Sequence, residues 1–206
     1  MNRLKHQAEI DAYYLSDSAQ PRAAGVMWPA LVERRVDSLF EAALRPDKKN
    51  YDELFQPSAA LGNYGAKVKL AYMLGWIHED IYRDLLILAK IRNRFAHAIE
   101  AKDFSDQKIT TFLGNMKVYK FIPGILEDAK KKAAIDPSVI NLATVSVTTQ
   151  MVENQQSGFR FCIDLMIDHL EKCKANMEKN LSSLPDNWLV SELLPAENRA
   201  KYEKKP

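Results

Sequence analysis

Two apolar-periodic stretches, Tyr64–Trp76 and Ile81–Ile99, are separated by little more than the polar joint His78-Glu79-Asp80, and that spacing constrains the fold most. In the first, Val68, Leu70, Ala71, Tyr72, Leu74 and Ile77 place apolar side chains around much of a helix, which predicts a position near a bundle centre. In the second, Ile81, Leu85, Leu88 and Ala89 recur at three and four, the period of one helical face. A joint this short leaves the helices no alternative to packing as an antiparallel hairpin. Glu79 and Asp80 place carboxylates where the second helix presents its positive end.

The second stretch carries an anomaly. Continued through Arg92, Phe95, Ala96 and Ile99, its stripe puts a guanidinium where a core residue belongs. Such a group stays charged and must find acceptors, water or a partner surface. Asn93 and His97 are four apart and share a face, whereas Arg92 and His97 point roughly 140° apart at about 100° per residue. Arg92, Asn93 and His97 thus form a polar island with two readings. In one, a histidine that titrates near neutrality and a cation that stabilises phosphate charge perform ribonuclease chemistry. In the other, Arg92 bonds a carboxylate or loop carbonyls, and His97 meets the carbonyl end of the helix.

The rest of the chain also reads as helix and loop. Val32, Val36, Leu39, Phe40 and Ala43 predict a helix over Trp28–Leu44, with Pro29 in its first turn and Arg45-Pro46-Asp47 ending it. Residues 46–63 read as a loop around one short helical turn. Gly62-Asn63-Tyr64-Gly65 supplies the turn and N-cap of the next helix. A further helix is expected over Asp106–Tyr119, with Pro123-Gly124 as a break, and another from Phe159 through Ile163, Met166, Ile167, Leu170 and Cys173. Residues 138–157, rich in Val, Thr, Ser, Asn and Gln, fit strand, loop or weak helix. The expectation is an all-α, compact multi-helix bundle with a central helical hairpin. Its divisions are a polar, partly helical arm over 1–27, a bundle domain over 28–181 and a C-terminal extension over 182–206.

Several function classes are excluded. Twenty-nine basic against 27 acidic residues give a net charge of +2, without the basic surplus that drives nucleic-acid or membrane binding. Lys130-Lys131-Lys132 reads as a solvated face, and no short recognition helix suggests base readout. Histidines 6, 78, 97 and 169 are scattered, and Cys162 and Cys173 lack zinc-ligand spacing, so neither metal nor cofactor is expected. On one helix the two thiols lie about 16 Å apart, too far to bridge, and read as core residues of a reduced protein. With no signal-peptide pattern and no apolar run approaching ~20 residues, a cytoplasmic chain is expected.

Leu61-Gly62-Asn63-Tyr64-Gly65-Ala66-Lys67-Val68-Lys69-Leu70-Ala71-Tyr72-Met73-Leu74-Gly75-Trp76-Ile77, then Tyr82-Arg83-Asp84-Leu85 and Ile91-Arg92-Asn93-Arg94-Phe95-Ala96-His97, resemble the mannitol operon repressor family. The likeness spans about residues 54–116. It implies an all-helical bacterial regulator acting through other proteins, without a recognisable DNA-binding module. Arg92-Asn93-x-x-x-His97 is also similar to the short motif of HEPN domains, all-α modules that often dimerise and include metal-independent ribonucleases. That likeness implies Arg92 and His97 as catalytic, Asn93 as supporting, and RNA as substrate.

The favoured expectation is a non-enzymatic regulator with a protein partner or a second copy of itself. Arg92, Asn93 and His97 would brace the long helix and shape the partner surface, Gly62, Asn63 and Tyr64 would form the opposing wall, and Lys67 would add charge.

Overall fold

The computed structural model describes residues 20–44, 47–135 and 154–178, which form seven helices and no strand. The fold class is all-α, as the periodicity predicts. In order the helices are α1 (Pro21–Ala43), α2 (Lys48–Phe55), α3 (Tyr64–Met73), α4 (Glu79–His97), α5 (Gln107–Asn115), α6 (Lys117–Ile135) and α7 (Gln155–Glu178). Residues 1–19 and 179–206, with the arm and extension assigned to them, lie outside the described residues, as does the ambiguous run before Asn154.

α4 is the axis of the assembly and packs against α1, α3, α5 and α6, while α1 lies along α7. Its core stripe is Ile81, Leu85, Leu88, Ile91 and Phe95. The expected course through Arg92, Ala96 and Ile99 is therefore corrected by one position. At 100° per residue, Ile91 and Phe95 point inward, Arg92 lies at the edge, and Ile99 is 83% exposed. The hairpin is present, but its outer member is α3, whose end exposes Met73 and Leu74. α3 stops in a Schellman motif, with Trp76 N–H donating to the Ala71 carbonyl and Gly75 N–H to that of Tyr72. Gly75 supplies the φ of +71° that the motif requires. His78 then caps α4, its Nδ1 accepting from Asp80 N–H.

α1 and α7 run in the same direction: Trp28 stacks on Phe159 at 6.0 Å, and farther along Arg35 meets Glu171 at 2.7 Å. α1 starts seven residues before the predicted helix, so residues 21–27 belong to it and not to a separate arm. Pro21 holds the first turn, and Pro29 lies buried inside the helix. Packing outweighs the lost intrahelical bond, because Ala24, Trp28, Val32 and Val36 are fully enclosed. Gly25 lets the α1 backbone approach α4 closely, since a Cβ there would lie 2.0 Å from the Phe95 ring.

Two further boundaries are corrected. The predicted helix over Asp106–Tyr119 is two helices, and Pro123-Gly124 does not break the chain but lies inside α6. The break falls at Met116, which is extended with φ −68° and ψ 132°. Its cause is a carboxylate from elsewhere: Asp84 of α4 accepts from Lys117 N–H at 2.7 Å and Val118 N–H at 2.8 Å. A carboxylate receiving the first amides of α6 fixes a helix start that no local residue announces. Cys162 and Cys173 are both free and buried on α7, as their spacing predicts.

Candidate functional site

The polar island resolves into a seam that ties α1, α3 and α4 together. Arg92 leaves the edge of α4 toward α1, and its Nη1 donates to Glu33 Oε2 at 2.5 Å. Both side chains are partly exposed, at 29% and 26%. The guanidinium also lies 5.9 Å from the centroid of the Tyr64 ring, a cation–π distance, and Nε reaches Asn93 Oδ1 at 3.4 Å. One turn along α1 from Glu33, Asp37 accepts from Lys67 Nζ at 2.6 Å. Lys67 is nearly enclosed, with its ammonium 5.7 Å from the Phe55 ring of α2. Two acids at i and i+4 on α1 thus meet one cation from α4 and one from α3.

Tyr64 stands between these pairs. Its hydroxyl is buried with no hydrogen-bond partner among the described residues. Burial and the Glu33 carboxylate push its ionisation far above the usual phenol range, although Arg92 opposes them. Tyr64 is therefore a neutral wedge. Asn63 before it caps α3, its Oδ1 accepting from Gly65 N–H at 2.8 Å. Gly62 serves the loop that returns from α2, where a Cβ would lie 2.2 Å from the Gln56 carbonyl oxygen. The Gly62–Tyr64 segment thus starts α3 as its sequence predicts, and Tyr64 faces Arg92.

One expected member of the island stands apart from the seam. Asn93 is exposed but accepts from Arg92, whereas His97 is exposed in the last turn of α4. Arg92 is directed to α1 instead. Among the described residues no group of His, Cys, Asp and Glu could hold a metal ion. An open cleft of about 400 Å³ lies elsewhere, lined by Pro21, Asp103, Phe104, Ser105 and Asn154 to Gln156. None of the seam residues lines it.

Sequence reasoning missed four residues that hold this region. Glu33 and Asp37 could have been found as i, i+4 acids beside the apolar Val32 and Val36 of α1. Arg94 lay inside the quoted motif: its guanidinium grips Asp106 at 2.7 and 3.2 Å and Glu100 at 2.9 Å. The Arg94 contact holds the Asp106 carboxyl below its usual range, and Asp106 in turn caps α5. Asp84 was the charged residue on the true core stripe of α4, visible once Arg92 is placed at the edge.

The family described as MtlR, mannitol repressor, matches residues 15–154 of the chain. Among solved structures, the X-ray structure of the MtlR–HPr complex from Escherichia coli is similar, with 19% identity and a TM-score of 0.52. The match covers 82% of this chain and 97% of that one, and at that identity it speaks for a shared fold. No curated protein matches the chain.

Proposed function

The chain belongs to the mannitol repressor family, and from that premise we propose that it is a bacterial, cytoplasmic transcriptional regulator of the mannitol operon repressor type that works through protein contacts. The family match over residues 15–154 carries this reading. The similar solved fold was captured in complex with HPr, so HPr is the protein partner proposed here, alongside a second copy of the chain.

Within this proposal the seam is an architectural lock. Arg92 and Lys67 are paired with Glu33 and Asp37, Tyr64 is enclosed, Asn63 caps α3 and Asn93 accepts from Arg92, so the exposed His97 is the member of the island that would meet a partner. Among the described residues the central hairpin does not offer a standard DNA-reading helix: α4 packs against four other helices, and α3 has the enclosed residues Tyr64, Lys67, Val68 and Ala71. No helix among the described residues is long and apolar enough to cross a membrane.

Titrating the purified chain with HPr by calorimetry tests the reading, and saturable binding is the expected result. Absence of binding, together with metal-free RNA cleavage that His97→Ala abolishes in a folded protein, would replace it with the ribonuclease reading built on Arg92, Asn93 and His97. Salt-sensitive binding to an operator duplex, lost when Lys130 and Lys131 are replaced, would replace it with direct DNA recognition.

A further inference from the structure

Four of the five large apolar side chains that stand exposed among the described residues belong to three successive helices: Leu44 directly after α1, Leu54 on α2, and Met73 and Leu74 at the end of α3. One buried ring gathers them at a single end of the molecule. Phe40 lies 5.3 Å from Phe55 and 5.1 Å from Trp76 between ring centroids. Leu44 follows Phe40 by one turn, Leu54 adjoins Phe55, and Leu74 precedes Trp76 by two positions. Met73 keeps 71% of its surface and Leu74 51%, although the Schellman bonds fix the turn that carries them.

The borders of this patch carry opposite charge. Around α3, at about 100° per residue, Lys69 falls between Tyr72 and Met73, and Leu74 falls between Met73 and Lys67. Tyr72 stacks on Tyr82 of α4 at 4.5 Å, whereas Lys67 reaches Asp37 of α1 and the Phe55 ring of α2. Lys69 therefore edges the patch on the α4 side, and Leu74 continues it toward α1 and α2. Glu41 edges that far side, one turn beyond Asp37 on α1. It stands close to α2, where burial and then the Glu41, Asp37 and Asp52 carboxylates push the Tyr51 phenol up to about 12. Lys69 and Glu41 are exposed and have no ion-pair partner among the described residues, whereas Lys48 on α2 is held by Asp52 at 2.5 Å.

We propose that a second copy of the chain docks on this end of the molecule, in a two-fold dimer centred on Met73 and Leu74 with Leu44 and Leu54 beside them. A basic edge, an apolar centre and an acidic edge in that order are self-complementary. A two-fold axis through Met73 sets Lys69 of each protomer against Glu41 of the other. Association takes the exposed apolar side chains out of water, and the two charge pairs form the polar rim around them. Such a dimer rests on the reading in which a second copy is a partner, and it leaves the HPr titration to decide the regulator reading separately.

Sedimentation of the full chain over a concentration series reads the dimer directly, and a reversible monomer–dimer equilibrium is the expected result. Met73→Asp should weaken association about a hundredfold, because a carboxylate would be enclosed without a partner. Lys69→Glu and Glu41→Lys should each weaken it about tenfold by setting like charges opposite one another. Mixed in equal amounts, these two variants should regain the wild-type constant, since both contacts of the mixed dimer again join opposite charges. A wild-type chain that stays monomeric overturns the proposal, as does a dimer indifferent to Met73→Asp or a mixture that fails to recover. A monomeric wild type whose HPr binding is lost in Met73→Asp overturns it too, and gives the patch to HPr. If a variant does not fold, amide exchange of Leu74 and Gly75 in the wild type decides. Slowing with rising protein concentration supports the dimer, and no concentration dependence overturns it.

Discussion

Arg92 and Glu33, fifty-nine positions apart in sequence, meet at 2.5 Å across the packing of α4 on α1. The contact converts the charge anomaly of the long helix into a tie between two elements. It also occupies the guanidinium that phosphate chemistry would need. Both partners keep about a quarter of their side-chain surface, so the pair stabilises through geometry and partial desolvation, and solvent screens part of it.

A double-mutant cycle on Arg92→Ala and Glu33→Ala should give a coupling energy of roughly 0.5–1 kcal/mol, falling with added salt. Urea denaturation of the four proteins measures it. A coupling of zero would mean that the guanidinium spends its time in solvent, available to a ligand.

Gly25→Ala should destabilise the fold by about 3 kcal/mol, although alanine is the better helix former. The new methyl would lie 2.0 Å from the Phe95 ring, and that ring is fully buried and cannot swing away. Thermal or urea unfolding reads the loss. Restoration by Phe95→Leu in the same chain would localise it to this contact.

Arg94→Lys should loosen residues 98–106 while leaving the α4 core intact. The planar fork reaches both Asp106 oxygens and Glu100, and an ammonium cannot reproduce that geometry. Faster amide exchange confined to this loop and the α5 start is the expected signature. Uniformly faster exchange would contradict a local role.

His169 and Asp84 should impose opposite pH dependences on stability. Burial, with His78 nearby, holds His169 down to about 4 from 6.5. The unfolded chain therefore binds its proton first, and stability present above pH 6.5 is lost as the pH falls toward 4. Asp84, raised to about 6 from 3.8, contributes stability that is complete below 3.8 and lost as the pH rises through 6. Each effect is on the order of 2–3 kcal/mol, and in the wild type they largely offset. Urea midpoints from pH 4 to 7 should thus show a steep acid loss in Asp84→Asn and a gain on acidification in His169→Gln. Parallel profiles in the two variants would refute the pairing.

Local chemistry was legible wherever it acts within a few residues. The α3–α4 hairpin, the Asn63 cap and the buried thiols of α7 follow from periodicity, cap preference and spacing alone. Pro29 and Pro123 misled for a tertiary reason. A proline costs its helix one hydrogen bond, and the burial of Trp28, Val32, Phe121 and Ile122 around these two sites outweighs that cost.

The sequence by itself determined an all-helical chain, its central hairpin and the polar residues that had to be accommodated. The tertiary structure decided where each of them points. One residue along a helix is a turn of 100°, so a stripe read one position out exchanges Arg92 for Ile91 and hides Asp84 altogether. Which acid meets which cation depends on helices brought together from far apart in the chain, as Glu33 meets Arg92 and Asp84 meets the start of α6. Periodicity specifies a face. Only packing specifies the partner across it.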